Sequence, residues 1–292
     1  MFIERFIRYV RYEKRFSPHT IKAYETDLLQ FQTFLTTYET TLAEATHTLV
    51  RSWVMECMEA STGAKSINRK ISSLRSFYKF LQREGLVVKS PMEQVQAPKI
   101  PKRLPVIVEE AKLNTLLDDE ALFPSGFEGL RDRVVLELLY GTGIRLAELL
   151  GLKNSDIDDY NQQIKVLGKR NKERIIPLAK PLYALLKVYI DQKNELGFTS
   201  TDKLIVTDKG TAAYPQLIYR LVKQALGEVS TQDKKSPHIL RHSFATALLN
   251  KGAELTAIKE LLGHANLSAT QVYTHNSIEK LKSIYKQAHP KA

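Results

Sequence analysis

The stretch SPHILRHSFATALLNKGAELTAIKELLGHANLSATQVYTH, residues 236–275, combines helix patterning with most of the chain's candidate reactive side chains. Ser236 followed by Pro237 predicts a helix start, because serine caps helices and proline suits the first helical position. Gly252 and Gly263 predict the ends of two successive helices, since glycine commonly follows a helix C-terminus. We therefore expect this part of the fold to be helical.

The first of these helices would carry His238 and Arg241 one turn apart on one face. Its other side is apolar and predicts a core contact through Leu240, Phe244, Ala247 and Leu248. His264 follows the second helix end on an exposed turn, and Tyr273 comes nine residues later. Two imidazoles, a guanidinium and a phenol from separate elements can thus converge on one pocket, and the question is whether that pocket holds a phosphate.

An earlier motif, GTGIRLAELLGL at residues 141–152, predicts a turn over Gly141-Thr142-Gly143 between two helices. Arg145 follows the turn closely and can project into a cleft. The alternative is that Arg145 is a structural partner for Glu148, one helical turn later. We favour a division in which Glu148 supports the turn and Arg145 faces the substrate.

Residues 162–178 change to a strand pattern, with the β-rich runs QIKVL and RIIPL on either side of the polar turn GKRNKE. This pattern predicts a β-hairpin whose turn carries Lys169, Arg170 and Lys172. A solvated charged turn is the alternative to a turn that enters a DNA groove. The short apolar run at residues 203–206 could join the hairpin in a small sheet.

The N-terminal region, residues 1–97, predicts four helices, the second of which starts at Ser17-Pro18. The outer face of the fourth, about 63–84, is basic and is either a solvated surface or a DNA-backbone contact: it carries Lys65, Arg69, Arg75 and Lys79. Residues 98–105 are proline-rich and predict a linker whose Lys99, Lys102 and Arg103 can follow a phosphate backbone. A second domain is predicted over 106–292.

Composition narrows the class of protein. The 292 residues suggest about two domains, and 43 basic against 32 acidic side chains give a net charge of +11. That excess favours a nucleic-acid partner over a merely basic soluble protein. Cys57 is the only cysteine, which excludes an internal disulfide and a thiolate zinc site. No secretory segment or membrane-length apolar run is evident, so we expect a cytoplasmic protein.

Three segments, HILRHSFAT, LLGHANLSATQVYTH and GTGIRLAELLGL, together resemble the motifs of the tyrosine recombinases of the phage integrase family, and specifically its Xer-like members. Two N-terminal segments, SPHTIKAYETDLLQF and INRKISSLRSFYKFL, resemble the core-binding domain of the same family. The resemblance covers nearly the whole chain. It implies a mainly α, two-domain fold: a four-helix, SAM-like core-binding domain, then an α+β catalytic domain with a small sheet.

The resemblance also implies a catalytic set, in family order: Arg145, Lys169, His238, Arg241, His264 and Tyr273. Tyr273 would be the nucleophile, with His238 as base and Lys169 as the acid that protonates the leaving oxygen. The two arginines would bind phosphate oxygens in place of a metal, and His264 would donate a hydrogen bond to one. Arg170 and Lys172 would contact the DNA backbone. No cofactor, metal or ATP is expected.

The expected partners are a duplex recombination site, three further recombinase subunits in a homo- or heterotetramer, and a DNA translocase of the FtsK type. A final helix at about 277–288 would pass to the adjacent subunit or cap its own domain. The rival functions are a mobile-element integrase, a type IB topoisomerase and a catalytically dead DNA-binding protein. Two residue-level alternatives also stay open: zinc binding by His238 and His242, and a packing role for Tyr273.

Overall fold

The computed structural model describes residues 2–99, 107–168, 172–230 and 235–263. The chain divides into two compact units, Met1–Arg103 and Leu104–Ala292. The predicted linker at 98–105 and the predicted helix at 277–288 lie largely or wholly outside the described residues. None of the helices within the described residues is long and apolar enough to cross a bilayer.

The first unit is helical in its described residues, as predicted, with α1 Phe2–Tyr12, α2 Pro18–Thr36, α3 His47–Glu59 and α4 Ala64–Arg83. Ser17 caps α2, because its hydroxyl accepts from the Thr20 amide at 3.2 Å and Pro18 occupies the first turn. The core is rich in aromatic rings, and Phe6 meets Phe77 edge to face at 5.4 Å between centroids. These contacts join α1 to α4.

A buried carboxylate joins α2 to α4. Asp27 is fully buried, and it accepts hydrogen bonds from Lys70 at 3.3 Å and from Ser73 at 2.7 Å. Arg69 also forms an ion pair with it. A buried charge is tolerated when it is paired and hydrogen-bonded, and this network meets both conditions. The polar positions of α4 therefore hold the unit together as well as covering its surface.

The second unit is α+β. Its described helices are α5 Glu110–Asp118, α6 Phe127–Thr142, α7 Leu146–Gly151, α8 Lys180–Glu195, α9 Pro215–Val229, α10 Pro237–Asn250 and α11 Leu255–Leu262. Helix α6 lies in the core of this unit, since every residue from Val134 to Thr142 is buried. The predicted core face of α10 is confirmed, because Leu240, Phe244, Ala247 and Leu248 are all buried. Ser236 takes the N-cap position of α10 as predicted, with extended backbone but without a side-chain cap bond in the described residues.

The predicted hairpin is present, with β2 Gln163–Leu167 antiparallel to β3 Glu173–Pro177. The prediction that residues 203–206 supply the third strand of the sheet was wrong, because the third strand is β1, Ile157–Asp158, which pairs with β2. Within the described residues, Lys203 and Val206 form isolated bridges with Lys153 and Ala212 instead of joining this sheet.

The predicted turn at Gly141-Thr142-Gly143 is shorter than expected, because α6 continues through Thr142 and ends at Gly143. Gly143 has a φ of +61°, and a Cβ there would lie 2.5 Å from Phe244 Cδ1 and 2.7 Å from Leu262 Cδ2. Glycine is therefore needed for both conformation and space. The close approach brings the end of α6 against α10 and α11.

Candidate active site

Arg145 occupies the N-cap position of α7, two residues after Gly143. Glu148 supports it twice, since Oε2 accepts from the Arg145 amide at 2.7 Å and Oε1 from the Arg145 side chain at 2.8 Å. About a third of the Arg145 side chain remains exposed, at 33%, whereas that of Glu148 is 5% exposed. Glu148 is thus the buried support of the turn, and Arg145 keeps an accessible guanidinium edge.

Arg241 projects from α10 and is 6% exposed. Its guanidinium donates to the Gly143 carbonyl and, at 2.7 Å, to the Leu262 carbonyl. Burial and the nearby positive charge of Arg145 lower the pKa of Arg241 to about 10. The guanidinium remains charged at neutral pH and is fixed by backbone groups from two other elements.

A third arginine, Arg174 on β3, belongs to the same cluster and was not predicted. It binds Glu148 through both terminal nitrogens, at 3.0 and 2.8 Å, and donates from Nε to the Leu261 carbonyl at 2.8 Å. One sequence signal could have revealed it. Strand alternation places Arg174 on the same inward face as Ile176, where an arginine needs a buried partner.

The three arginines bind three successive carbonyls at the end of α11. Arg174 donates to the Leu261 carbonyl and Arg241 to the Leu262 carbonyl. Arg145 donates to the Gly263 carbonyl at 3.1 Å. The C-terminus of a helix carries partial negative charge and unpaired carbonyls, so it favours cations. These contacts set three guanidiniums against a single carboxylate, Glu148, and the cluster keeps an excess of positive charge that suits an anion.

The pKa of Glu148 reflects this setting. Burial opposes its ionisation, but the hydrogen bonds and charge of Arg174, together with the bonds from Arg145, outweigh burial and lower the pKa below its usual value. The ionised carboxylate is therefore stabilised by folding. That contribution is present at neutral pH and is lost as the pH falls through the lowered pKa of the folded state.

Glu148→Gln tests this support. We expect the free energy of unfolding to fall by about 3 kcal/mol at neutral pH, because the buried arginine loses its charged partner. The gap between variant and wild type should begin to narrow below about pH 4, the ordinary pKa of glutamate, and should close as the pH falls through the lowered pKa of folded Glu148. Urea unfolding of both proteins across this pH range measures the gap, and a gap that is equally large at acid pH would contradict the assignment.

The remaining predicted residues of the second unit are placed in part. His238 lies in the first turn of α10 and is exposed, as is His242. Lys172 is exposed at the hairpin, where its carbonyl accepts from the Gly168 amide at 2.8 Å. Six predicted residues lie outside the described part of the chain: Lys102, Arg103, Lys169, Arg170, His264 and Tyr273.

The predicted DNA-contact residues of the first unit divide into two kinds. Lys65 and Lys79 on α4 are exposed, and so is Lys99. Arg69 is bound within the unit, to Asp27 and to the Ala23 carbonyl. On the same helix, the Arg75 guanidinium donates a hydrogen bond to the Val95 carbonyl. The two lysines are therefore the freer cations of this helix face.

No group of three or more metal-ligating His, Cys, Asp or Glu side chains occurs in the residues that the structure describes. The zinc alternative for His238 and His242 thus gains no further ligand from those residues.

Comparison with known proteins identifies the family. The profile of the phage integrase family matches residues 108–280, and that of the phage integrase N-terminal SAM-like domain matches residues 3–85. Tyrosine recombinase XerC of Chlorobaculum parvum is 37% identical, with 99% of this chain and 94% of that protein covered. Tyrosine recombinase XerD of Staphylococcus saprophyticus is also 37% identical, with 99% of each chain covered.

Solved structures agree on the fold. The XerH site-specific recombinase in its post-cleavage complex with a palindromic difH substrate has a TM-score of 0.71 at 23% identity, covering 90% of this chain and 78% of that one. The Tn1549 transposon integrase in complex with a circular intermediate DNA has a TM-score of 0.70 at 19% identity, covering 97% and 98%. The family and fold inferred from the sequence motifs are confirmed. The chain belongs to the phage integrase family and, through its full-length similarity to XerC and XerD, to the Xer-type tyrosine recombinases within it.

Proposed function

We propose that this recombinase cuts and rejoins duplex DNA through a covalent 3′-phosphotyrosyl intermediate and a Holliday junction, and that it resolves chromosome dimers at a dif-like site. The observation that carries the proposal is the cluster in which Arg145 and Arg241 are held beside each other around one carboxylate. A phosphodiester brings a negative charge, and its transition state spreads charge over the non-bridging oxygens. Guanidiniums that are already fixed in place stabilise this charge, and they do not have to move during the reaction.

The cleavage step assigns one task to each catalytic residue. Tyr273 Oη attacks phosphorus and gives its proton to His238. As the P–O5′ bond breaks, Lys169 donates a proton to the leaving 5′-oxygen. His264 donates a hydrogen bond to a non-bridging oxygen. The phosphotyrosyl link conserves the energy of the broken bond, so a 5′-hydroxyl from another strand reseals it without ATP.

Catalysis without a metal ion follows from the same assignment. In many phosphoryl-transfer enzymes a divalent cation neutralises the developing charge. Here Arg145 and Arg241 supply fixed positive charge in its place, and Arg174 and Glu148 hold Arg145 in position. Strand cleavage should therefore proceed in the presence of a chelator.

The partners follow from the family and from charge. We assign residues 1–97 to the core-binding domain, 98–105 to the linker and 106–292 to the catalytic domain, and we expect each domain to contact duplex DNA. Lys65 and Lys79 are exposed cations suited to phosphate contacts; Lys99, Lys102, Arg103, Arg170 and Lys172 are proposed for the same role. We further propose that the protein acts in the cytoplasm as a homo- or heterotetramer on two sites. An FtsK-type translocase would control it.

The rival functions differ in their products. A mobile-element integrase would share the chemistry but act on the ends of that element. A type IB topoisomerase would relax supercoils without exchanging strands, and a dead relative would bind DNA without forming an adduct. Full-length similarity to XerC and XerD favours the Xer role over all three.

A nicked suicide duplex carrying candidate dif-like sites tests the function. We expect a denaturation-resistant protein–DNA species in the presence of chelator. The DNA should be attached to the tryptic peptide of residues 260–280, in which Tyr273 is the only tyrosine. An adduct on another peptide would move the nucleophile, and a requirement for added metal would contradict the role of the arginines.

A further inference from the structure

Arg174 is buried and hydrogen-bonded to protein groups through each of its guanidinium nitrogens. Its side chain is 4% exposed. Three of its nitrogens donate, two to Glu148 and one to the Leu261 carbonyl. All three guanidinium nitrogens of Arg174 are bound to protein groups, whereas Arg241 is bound through two, so we assign no phosphate contact to Arg174. Any contribution to the reaction must pass through its neighbours.

Those neighbours include two glycines that directly precede proposed catalytic residues. A Cβ built on Gly168 would lie 3.4 Å from Arg174 NH1 and 3.6 Å from Glu148 Oε1. A Cβ built on Gly263 would lie 3.2 Å from Arg174 NH1. The backbone therefore passes close to the guanidinium of Arg174 immediately before Lys169 and immediately before His264 in the sequence.

Gly168, which lies close to Arg174, is at the base of the hairpin turn. The Gly168 amide donates to the Lys172 carbonyl at 2.8 Å, which closes the last described pair before the turn. Glu148 then connects Arg174 to Arg145, with bonds of 2.8 Å to each guanidinium. A shift of the Arg174 guanidinium would displace the base of the turn relative to the arginine that binds phosphate.

We propose that Arg174 is a positioning residue for the general acid: it supports Gly168, which directly precedes Lys169 in the sequence, and it fixes Glu148, which holds Arg145. The inference rests on the proposed function, and in particular on Lys169 as the proton donor. Arg174→Lys keeps the positive charge but loses the fork that binds Glu148 and Leu261 together. Misplacement of a catalytic group by about 1 Å is enough to slow a reaction by about 100-fold.

A leaving-group substitution separates positioning from folding. Two nicked suicide duplexes are compared, one with the natural bridging 5′-oxygen and one with a bridging 5′-sulfur at the scissile phosphate. A thiol is far more acidic than an alcohol, so the thiolate departs without a proton donor. Cleavage of the sulfur substrate therefore does not need Lys169. Single-turnover cleavage, DNA affinity and thermal unfolding are measured for each variant.

We expect Arg174→Lys to cleave the oxygen substrate about 100-fold more slowly than wild type, and the sulfur substrate within about tenfold of the wild-type rate. Lys169→Ala should show the same selective rescue. The matched control is Arg131→Lys, which changes another buried arginine of this unit that is paired with Glu128 and Asp132. It should cleave both substrates at nearly the wild-type rate.

Equal slowing of Arg174→Lys on both substrates would overturn the inference. If Lys169→Ala is rescued and Arg174→Lys is not, only the role of Arg174 fails; if Lys169→Ala is not rescued, the proposed general acid fails instead. Should Arg174→Lys not fold, Gly168→Ala crowds the base of the turn without removing a charge, since its Cβ would lie 3.2 Å from the Lys172 carbonyl and 3.4 Å from Arg174 NH1. It should give the same sulfur-selective rescue because it disturbs the hairpin base that Arg174 supports, and an unchanged rate on the oxygen substrate would contradict the inference.

Discussion

Tyr273→Phe is expected to abolish the covalent adduct on the nicked duplex while it leaves DNA affinity within about twofold of wild type. Phenylalanine keeps the ring but removes the oxygen that would attack phosphorus. Because phosphate contacts supply most of the affinity for DNA, loss of one hydroxyl should scarcely change binding. Denaturing gels measure the adduct, and mobility shifts measure the affinity. An adduct that persists in this variant would exclude Tyr273 as the nucleophile.

The other tyrosines provide the control. The phenols of Tyr78, Tyr140 and Tyr189 are buried, and burial raises the pKa of each, to about 12 for Tyr189. Such phenols are poor nucleophiles and have no access to DNA. Tyr160 is 94% exposed in the same unit, so Tyr160→Phe removes an accessible phenol from the β1–β2 turn. It should form the adduct at the wild-type rate.

Arg241→Ala should slow strand cleavage by about three orders of magnitude, because it removes a fixed charge from the proposed phosphate site. The change also frees the carbonyls of Gly143 and Leu262. Arg241→Lys should recover little of the lost rate, since one ammonium cannot span two carbonyls and a phosphate. Single-turnover cleavage at saturating protein isolates this effect from DNA binding.

A substitution of a second buried arginine, Arg131, controls for the loss of stability that follows when a buried arginine is replaced by alanine. Arg131 is 1% exposed on α6 and pairs with its own helix. Arg131→Ala should lower the unfolding temperature, yet the folded protein should cleave at nearly the wild-type rate. If the two alanine variants lose cleavage equally, the loss reflects damage to the fold and not removal of a phosphate ligand.

Local signals in the sequence predicted much of the fold. The serine–proline pairs at Ser17 and Ser236 marked true helix starts, because an N-cap residue followed by proline in the first turn is a short-range feature. The hairpin was equally readable, since alternation and a polar turn are both short-range features. The catalytic set came from family motifs, and the structure describes three of its members: Arg145, His238 and Arg241.

Features that depend on distant partners were not readable. Strand β1 is two residues long, too short for a periodic signal. Gly141 seemed part of a turn, but packing of α6 extends the helix past it. Arg174 resembled an ordinary strand residue because its partners, Glu148 and Leu261, are 26 and 87 residues away. Only the folded chain shows that this side chain belongs to the site.

The distribution of the arginine cluster along the chain has a consequence for synthesis. Arg145 and Glu148 leave the ribosome well before the carbonyls of α11, since Gly263 lies 118 positions after Arg145. A nascent or truncated polypeptide that lacks α11 also lacks the carbonyls that hold the three arginines of the proposed phosphate site. On the proposed function, the capacity to break DNA strands would thus be acquired only after the last described helix has been made.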